Sequence, residues 1–355
     1  MINLDFKKNL NYIFENQKKI RKLILVKMKK IILFLSVVAL FSCNQKKENL
    51  VILRGDAIGT TFTIRYLNPE NKNLDIKIEA IIKKVNKSIS TYIPTSDISK
   101  INKGDTTVVI DSIFKEVFLK SDKIYKETKG EFDPTVGILV NAWGFGPGKR
   151  IENIDSTKVK ELLKYVGFNK VTLKDNKIIK QYPQTYFDFN AIAKGYLVDL
   201  VGRMFEKNGI PNYMVEIGGE IRARGINQLA TPWRIAIENP NSDGTRSINT
   251  KIKLLNESIA TSGNYRKYRI AKDGKKYVHT INPITGFATP SNLLSASVIS
   301  KSDCADVDGY ATAFMAMGFE KAKIFLKNHP ELKAFLIYSD ENNKIKTYKS
   351  ANFTE

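Results

Sequence analysis

Three observations predict an α+β fold. Helix-like and strand-like segments follow one another without the regular strand–helix–strand order of a doubly wound sheet. Short strand-like segments dominate the second half of the chain. No internal repeat, low-complexity linker or block of like charge divides the chain after its N-terminal region. We therefore expect residues 50–350 to form a single domain of mixed sheets with flanking helices.

The first half of this domain is predicted to begin with a hairpin. Val51–Leu53 and Thr60–Tyr66 are strand-like, and Gly59 lies between them. Apolar residues at helical spacing then predict two amphipathic helices, Ile76–Ile89 and Ile113–Thr128. The later elements are predicted to be a helix at Ser156–Val166, strands at Lys170–Leu173 and Tyr186–Phe189, and a helix at Ala191–Asn208.

Short strands and one further helix are predicted for the second half. The predicted strands are Tyr213–Ile217, Trp233–Glu238, Lys251–Leu255, Tyr277–Ile281 and Ala296–Ile299. The predicted helix is Asp308–Met317, and Gly318 ends it because glycine favours the backbone conformation that follows a helix.

Residues 1–42 have the order of an extension followed by a secretion signal. The apolar run Ile31–Ser42 follows two lysines, precedes Cys43 and is too short to span a bilayer. Its end resembles a bacterial lipobox, in which Cys43 is lipidated, so Met28 is a better initiator than the first methionine. We expect a membrane-anchored lipoprotein that faces the periplasm, with residues 43–49 as a tether. The alternative is a buried core segment with an incidental cysteine.

The charge pattern excludes an obvious nucleic-acid-binding surface. The net charge is +21, of which residues 1–30 carry +7, so the body is basic. Its lysines are scattered singly among acidic residues and are not clustered with aromatic residues, which indicates a solvated surface. With Cys43 lipidated, only Cys304 remains, so we expect no intrachain disulfide and a fold that depends on its buried core.

Five motifs contain residues that could bind a ligand or act on it. In Gly130–Gly146, Trp143 and Phe145 could offer a flat apolar wall to an aromatic ligand, although a structural loop explains the same residues. In Asp188–Tyr196, a strand leads into a helix start whose backbone N–H groups, with Lys194, could hold a phosphate. Neither signal is specific by itself.

The next two motifs combine glycine or histidine with strand ends. Gly218 and Gly219 let the backbone approach a ligand, and Glu220 can accept hydrogen bonds from it; a glycine bulge in a sheet is the alternative. His279 is one of two histidines, and it is either a proton-transfer group or a turn hydrogen-bonder. The other, His329, is predicted to be ordinary surface.

The fifth motif places Asp308 four residues before Thr312. On a helix, the carboxylate and the hydroxyl share one face and could offer oxygen ligands to Mg²⁺. The alternative is that Asp308 caps the helix and Thr312 bonds back to the preceding turn.

From about residue 50 to 340, the order and the sequences of these motifs resemble those of the ApbE-like FAD:protein FMN transferases. The matching segments are GTTFTIRY (Gly59–Tyr66), TYIPTSDISKIN (Thr91–Asn102), FDPTVGILVNAWGFG (Phe132–Gly146), IAKGY (Ile192–Tyr196), EIGGEIRARG (Glu216–Gly225), WRIAIENP (Trp233–Pro240), IATSGNYR (Ile259–Arg266), HTINPITG (His279–Gly286) and DGYATAFMAMG (Asp308–Gly318).

The resemblance implies a T-fold-like catalytic domain with FAD as substrate and Mg²⁺ near the pyrophosphate. By motif, the metal would be held by the side chains of Asp308 and Thr312 and by the carbonyl oxygen of Ala193. Lys194 would neutralise phosphate charge, and His279 or Asp308 would take the hydroxyl proton. The residues expected to line the flavin nucleotide site are Gly218, Gly219, Glu220, Ser262, Gly263 and His279.

The implied reaction transfers FMN from FAD to a threonine of an acceptor flavoprotein and releases AMP. Such acceptors would be subunits like those of sodium-translocating NADH:quinone reductase. Hydrolysis of FAD to FMN and AMP, or flavin binding without catalysis, are the alternatives. The chain departs from the family at Asn190, where glycine is common, and at Asn282–Ile284, where Asp-Pro and a basic residue are usual.

Overall fold

The computed structural model describes residues 12, 14–28, 49–68, 72–240, 245, 247–264, 268–270, 276–288 and 291–354, with residues 268–270 and 276 described by their backbone alone. The chain divides into Met1–Lys47 and Glu48–Glu355. In the first unit, residues 14–28 are helical. The apolar run Ile31–Ser42 and the predicted lipidation site Cys43 lie outside the described residues. Within the described part, no helix has the length and apolarity that crossing a membrane requires.

Helices and strands alternate irregularly along the second unit. The helices are α1 (Asp75–Ile89), α2 (Asp97–Asn102), α3 (Ser112–Glu127), α4 (Gly137–Ala142), α5 (Ser156–Leu163), α6 (Asn190–Lys207), α7 (Cys304–Met317) and α8 (Phe319–Asn328). The strands are β1 (Asn49–Ala57), β2 (Thr60–Asn68), β3 (Val171–Lys174), β4 (Lys177–Lys180), β5 (Tyr213–Ile217), β6 (Glu220–Arg224), β7 (Trp233–Glu238), β8 (Ile248–Leu254), β9 (Glu257–Gly263), β10 (Tyr268–Ile270), β11 (Lys276–Val278), β12 (Leu293–Ser300), β13 (Lys333–Ser339) and β14 (Ile345–Lys349).

One large antiparallel sheet organises this unit. Its strands lie in the order β1-β2-β5-β6-β9-β12-β13-β14, and three two-stranded sheets accompany it. The described strands do not close into a barrel, since β1 and β14 each have one neighbour in that order. The α+β prediction is confirmed, and so is the opening hairpin, in which β1 pairs with β2 across a turn at Ile58 and Gly59.

Apolar side chains are buried on both faces of the large sheet. The main core packs α1, α3, α6, α7 and α8 against one face. A second core lies on the other face, where the β7–β8 hairpin contributes Trp233, Ile237 and Leu254. A third cluster is built around Trp143 and joins α4 and α5 to residues 277–288. The third cluster holds the segment that contains His279.

The helix predictions hold within four residues at each end, but two of the predicted strands differ from expectation. Tyr186–Phe189 is not a strand, because only Tyr186 forms a bridge, to Val136. The Asn102 carboxamide instead satisfies the backbone of Phe187: Phe187 N donates to Oδ1 at 2.7 Å, and Nδ2 donates to the carbonyl oxygen at 2.8 Å. The predicted strand Tyr277–Ile281 is also shorter than expected, because β11 ends at Val278.

Helix α7 begins four residues earlier than the sequence pattern predicts. Its N-cap is Asp303, so Asp308 lies inside the helix and the capping alternative for Asp308 is wrong. The first backbone N–H groups of α7 donate to a residue of α6: Cys304 N and Ala305 N bond the two carboxylate oxygens of Asp199 at 2.8 and 2.9 Å. An acceptor carboxylate at this position satisfies N–H groups that a helix start leaves unpaired.

Helices α6 and α7 come close together at a glycine. A Cβ on Gly195 would lie 2.4 Å from the carbonyl oxygen of Cys304, so any larger residue would push the helices apart. Arg222 of β6 donates to Asp199 at 2.8 Å and to Asp303 at 2.7 Å, and all three side chains lie beside this contact. We call Asp199, Arg222 and Asp303 the clamp cluster, because it ties α6, α7 and the sheet together.

Candidate active site

A cavity of about 860 Å³ opens beside the α6–α7 contact. Its volume lies within the range of pockets that hold cofactors and other small ligands. The walls come from the β1–β2 turn, the end of α1, residues 131–145, the start of α6, the β5–β6 turn, β9, residues 279–283 and α7. Segments far apart in sequence therefore converge on one site.

A lysine and two carboxylates form the most polar part of the cavity wall. Lys194 Nζ lies 2.6 Å from Glu220 Oε1 and 3.9 Å from Asp308 Oδ1. Gly195 N donates to Asp308 Oδ2 at 3.0 Å. Both carboxylates are 2% exposed, whereas the lysine side chain is 32% exposed. We call Lys194, Glu220 and Asp308 the cavity cluster.

In the cavity cluster, the ammonium group of Lys194 lies between two carboxyl groups, and the three groups change one another's pKa. Burial raises the pKa of Glu220 to about 8; Lys194 opposes this shift and Asp308 adds to it. Burial also raises the pKa of Asp308, against the effect of Lys194 and of the Gly195 N–H. For Lys194, burial lowers the pKa, but Asp308 and Glu220 outweigh it and hold the pKa above its ordinary value. A second cation, or a ligand N–H, would stabilise both ionised carboxylates.

One oxygen of this cluster has no hydrogen-bond partner in the part of the chain that the structure describes. Among the described residues, no group donates a hydrogen bond to the buried Oε2 of Glu220. A buried acceptor without a partner costs about 1–3 kcal/mol, so such atoms are uncommon unless a ligand or water satisfies them. Since Glu220 lines the cavity, its free oxygen indicates that a bound molecule is expected to supply the donor.

The predicted metal ligands fit Mg²⁺ in their chemistry. Asp308 and Thr312 lie one turn apart on α7, and Ala193 of α6 lines the same cavity. Thr312 Oγ1 is 3.2 Å from Ser262 Oγ of β9. Mg²⁺ prefers such oxygen donors. Within the described ranges no three His, Cys, Asp or Glu residues are grouped to hold a metal, so an ion here would need the hydroxyl and carbonyl oxygens as well as Asp308.

The β5–β6 turn explains the paired glycines. Gly218 and Gly219 both have positive φ, 64° and 103°, as a two-residue hairpin turn of this kind requires. A Cβ on Gly218 would lie 2.8 Å from Thr60 Cγ2 and 3.2 Å from Lys194 Cδ, so glycine lets the turn approach the lysine. Gly218 lines the cavity; Gly219 does not, and its N–H donates to Glu216 at 2.8 Å.

His279 follows β11 and lines the cavity. Its segment is fixed by backbone bonds, from Val278 N to Ala288 O at 2.8 Å and from Gly286 N to Asn282 O at 2.8 Å. Trp143 Nε1 donates to Gly286 O at 2.8 Å. The Trp143 ring is buried in the third cluster and does not line the cavity, so only Phe145 remains of the apolar wall expected from the sequence.

The structure brings nearly all the predicted site residues into one cavity. Those that line it are Ala193, Lys194, Gly218, Glu220, Ser262, Gly263, His279, Asp308 and Thr312. Gly219 lies in the adjoining turn, and the predicted lipidation site lies outside the described residues. His329 does not line the cavity, and its ring stacks on that of Phe325 at 3.9 Å between ring centroids.

Several cavity residues were not predicted from sequence. Asp133 is 6% exposed and accepts hydrogen bonds from Thr135 and from Phe168 N; burial raises its pKa to about 6, against those hydrogen bonds. Glu131 accepts from Lys321 at 2.7 Å, and Asn282 donates to it at 3.4 Å. The Asp-Pro turn signalled a loop but did not show that its acids face the cavity.

The fold and the cavity define the class of protein: an α+β protein with a cofactor-sized cavity lined by a lysine and two buried carboxylates. The family follows from sequence comparison. Residues 58–336 match the ApbE family, and the chain belongs to that family.

Named relatives agree with this assignment. The chain is 37% identical to a FAD:protein FMN transferase from Haemophilus influenzae, over 91% of this chain and 97% of the relative. It is 35% identical to one from Vibrio cholerae, over 90% and 96%. The solved structure of the flavin transferase ApbE from Vibrio cholerae superposes with a TM-score of 0.77 at 34% identity, covering 86% of this chain and 98% of that chain.

Proposed function

We propose that this protein transfers FMN from FAD to a threonine side chain of an acceptor flavoprotein and releases AMP, with Mg²⁺. Family membership and the names of the relatives support flavin transfer. The observation that carries the proposal is the cavity cluster, in which one lysine and two buried carboxylates line a cavity of cofactor size. Such a site combines a cation for phosphate oxygens with oxygen ligands for a metal.

Asp308, Thr312 and the Ala193 carbonyl would hold the Mg²⁺, which when bound supplies positive charge to the pyrophosphate oxygens. Lys194 places a second, permanent positive charge on the same wall. The free Oε2 of Glu220 accepts a ligand N–H. Because little covalent work falls to the protein in phosphoryl transfer, positioning and charge are its main contributions.

The transfer step forms one bond and breaks one. The threonine Oγ attacks the phosphorus on the FMN side, the bond from that phosphorus to the bridging oxygen breaks, and AMP leaves with that oxygen. The hydroxyl proton needs an acceptor on the protein. We assign it to His279, because this histidine lines the cavity and imidazole accepts protons near neutral pH.

The cellular setting is a further part of the proposal. The signal-like order of residues 1–42 supports a lipoprotein anchored through Cys43 and facing the periplasm, where exported subunits like those of sodium-translocating NADH:quinone reductase would be acceptors. Metabolic labelling with a radioactive fatty acid tests the anchor. Label should enter the wild type and be absent from Cys43→Ala; equal labelling of both would refute lipidation at Cys43.

The activity is tested by incubating the full chain with FAD, Mg²⁺ and an acceptor domain that carries an exposed threonine. We expect flavin fluorescence on the denatured acceptor, and release of AMP without equivalent free FMN. Free FMN and AMP without labelled acceptor would instead make the protein an FAD hydrolase. FAD binding without either product would leave a flavin-binding protein. His279→Gln should slow transfer, whereas the matched variant His329→Gln should not.

A further inference from the structure

A second depression adjoins the cavity at the β1–β2 turn. Its volume is about 480 Å³, and it runs between that turn and α1. We call it the hairpin cleft; it is lined by Asp56, Ala57, Ile58, Gly59, Thr60, Thr61, Ile82 and Asn86. Four of these, Ile58, Gly59, Thr60 and Asn86, also line the cavity. The cleft and the cavity therefore adjoin at these four residues.

The turn between the two spaces is strained. Ile58 has φ +42°, in the left-handed region that β-branched residues rarely adopt. The cost is on the order of 1–3 kcal/mol, and asparagine or glycine would avoid most of it. The side chain of Ile58 lies where the cleft meets the cavity. Ile58 packs partly against the main core and lines both spaces, so this residue can also contact a bound ligand there.

The cleft offers the groups that an extended peptide needs. Ile58 and Ile82 give it an apolar floor, and Thr61 and Asp56 are exposed at its rim. The Asn86 carboxamide makes no hydrogen bond to another described residue. A carboxamide has both a donor and an acceptor, so it can bond the two polar groups of one peptide unit.

The cleft also leads to the reacting groups. Thr60 packs against Gly218: a Cβ on that glycine would lie 2.8 Å from Thr60 Cγ2 and 3.2 Å from Lys194 Cδ. A chain that lies in the cleft and passes Thr60 therefore arrives beside the lysine. The cavity itself is of the size expected for FAD, so the second substrate needs a separate approach.

We propose that the hairpin cleft binds the threonine-bearing segment of the acceptor protein in extended form. Asn86 holds its backbone, Ile58 and Ile82 contact the apolar side chains next to the threonine, and the threonine hydroxyl reaches past Thr60 into the cavity. This inference rests on the proposed flavin transfer and names where its second substrate enters.

The test compares acceptor kinetics of the full-length wild type with Ile82→Arg and Thr61→Arg, which fill the cleft but lie outside the cavity wall. Ile76→Arg is the control, since Ile76 is on the same helix as Ile82 and is 79% exposed. We expect KM for the acceptor domain to rise at least about tenfold in both cleft variants, with kcat and the Kd for FAD changed less than about twofold. The control should match the wild type.

Other outcomes overturn the inference in distinguishable ways. An unchanged acceptor KM in Thr61→Arg, whose exposed position tolerates the substitution, would show that the acceptor enters elsewhere. A weakened Kd for FAD with unchanged acceptor KM would place part of FAD in the cleft. If the wild type transfers no FMN to any acceptor but still binds FAD, the proposed function fails first, and the inference fails with it.

Discussion

The cavity cluster and the clamp cluster are built from the same three elements but differ in their partners. Each takes one residue from α6, one from β6 and one from α7 or its N-cap. In the clamp cluster, Arg222 donates to Asp199, Asp303, Glu206 and Tyr213, and both oxygens of Asp199 accept backbone N–H groups. In the cavity cluster, Glu220 Oε2 has no partner among the described residues.

This difference separates stability from ligand binding. A buried ionic group whose partners are all in place holds elements in position. A buried ionic group that lines a cavity and has an unpaired oxygen is expected to gain its missing hydrogen-bond partner from a bound ligand. We therefore expect substitutions in the clamp cluster to change mainly the free energy of unfolding, and substitutions in the cavity cluster to change mainly transfer.

The largest effect should come from Arg222→Met. Removing the guanidinium leaves the buried Asp199 carboxylate without its ion pair, so the free energy of unfolding should fall by about 3–5 kcal/mol. Urea denaturation measures this, and the folded enzyme should keep kcat within about threefold. Arg224→Met, on the same strand, should cost less than about 1.5 kcal/mol because its nearest carboxylate is 3.9 Å away. Equal losses of free energy of unfolding in Arg222→Met and Arg224→Met would contradict the stabilising role of the clamp cluster.

Lys194→Met should lower the rate of transfer strongly and change the free energy of unfolding less. Loss of the cation should lower the initial rate of acceptor flavinylation roughly 100- to 1,000-fold, because a positioned charge stabilises developing phosphate charge. The free energy of unfolding should change less than in Arg222→Met, because burial raises the pKa of Glu220 and of Asp308, so both carboxyls can take up a proton when the cation is lost. A rate within tenfold of the wild type would mean that the cavity cluster is structural.

Asp133 sharpens the comparison because it is a buried carboxylate of neither cluster. Its pKa is raised to about 6 from 3.8, mainly by burial, so the folded state favours the protonated form. Its stabilising contribution is present below about pH 4 and is lost as the pH rises towards about 6. The free energy of unfolding of the wild type, relative to Asp133→Asn, should fall by about 2–3 kcal/mol across that window. If the difference in free energy of unfolding between the wild type and Asp133→Asn did not change with pH, Asp133 would be ionised in the folded protein across that window.

Of the substitutions compared so far, Glu220→Gln should have the smallest effect, and that effect should be on FAD binding. Glutamine keeps an acceptor oxygen for a ligand N–H but cannot ionise, so the Kd for FAD should rise about tenfold at most. Fluorescence quenching of the flavin measures it. Glu216→Gln is the matched control, because Glu216 bonds the neighbouring turn and does not line the cavity. An equal rise in both would mean that Glu220 does not contact the ligand.

Local pattern was enough to predict many of the elements, but not α2, α4, α8, β4, β6, β9, β10, β13 and β14, for which the sequence analysis made no prediction. Amphipathic spacing located α1 and α3 within one residue at each end, and Tyr213–Ile217 and Trp233–Glu238 were predicted with the observed bounds. The start of α7 was missed because that helix is buried nearly all round and has little amphipathic signal. Tyr186–Phe189 looked like a strand because its aromatic residues are buried, but a side chain satisfies its backbone.

The site was predicted by motif, while its long-range partners were not. Motifs located the cavity cluster, since each member lies in a recognisable segment. The clamp cluster joins residues 199, 222 and 303, whose contacts depend on tertiary structure. A signal was available in retrospect for one member: Asp199 is the only charge in the otherwise apolar run Tyr196–Val201, and a buried charge usually has a partner. The hairpin cleft has no sequence signal except an isoleucine before Gly59 where asparagine is usual.

The most direct test is mass spectrometry of the acceptor after incubation with FAD, Mg²⁺ and either the wild type or Asp308→Ala. With the wild type, we expect one threonine to gain the mass of FMN less one water; with Asp308→Ala, the modification should fall at least about 100-fold while the variant remains folded. The same modification at wild-type rate in Asp308→Ala, or flavin on a residue other than threonine, would contradict FMN transfer at the cavity cluster.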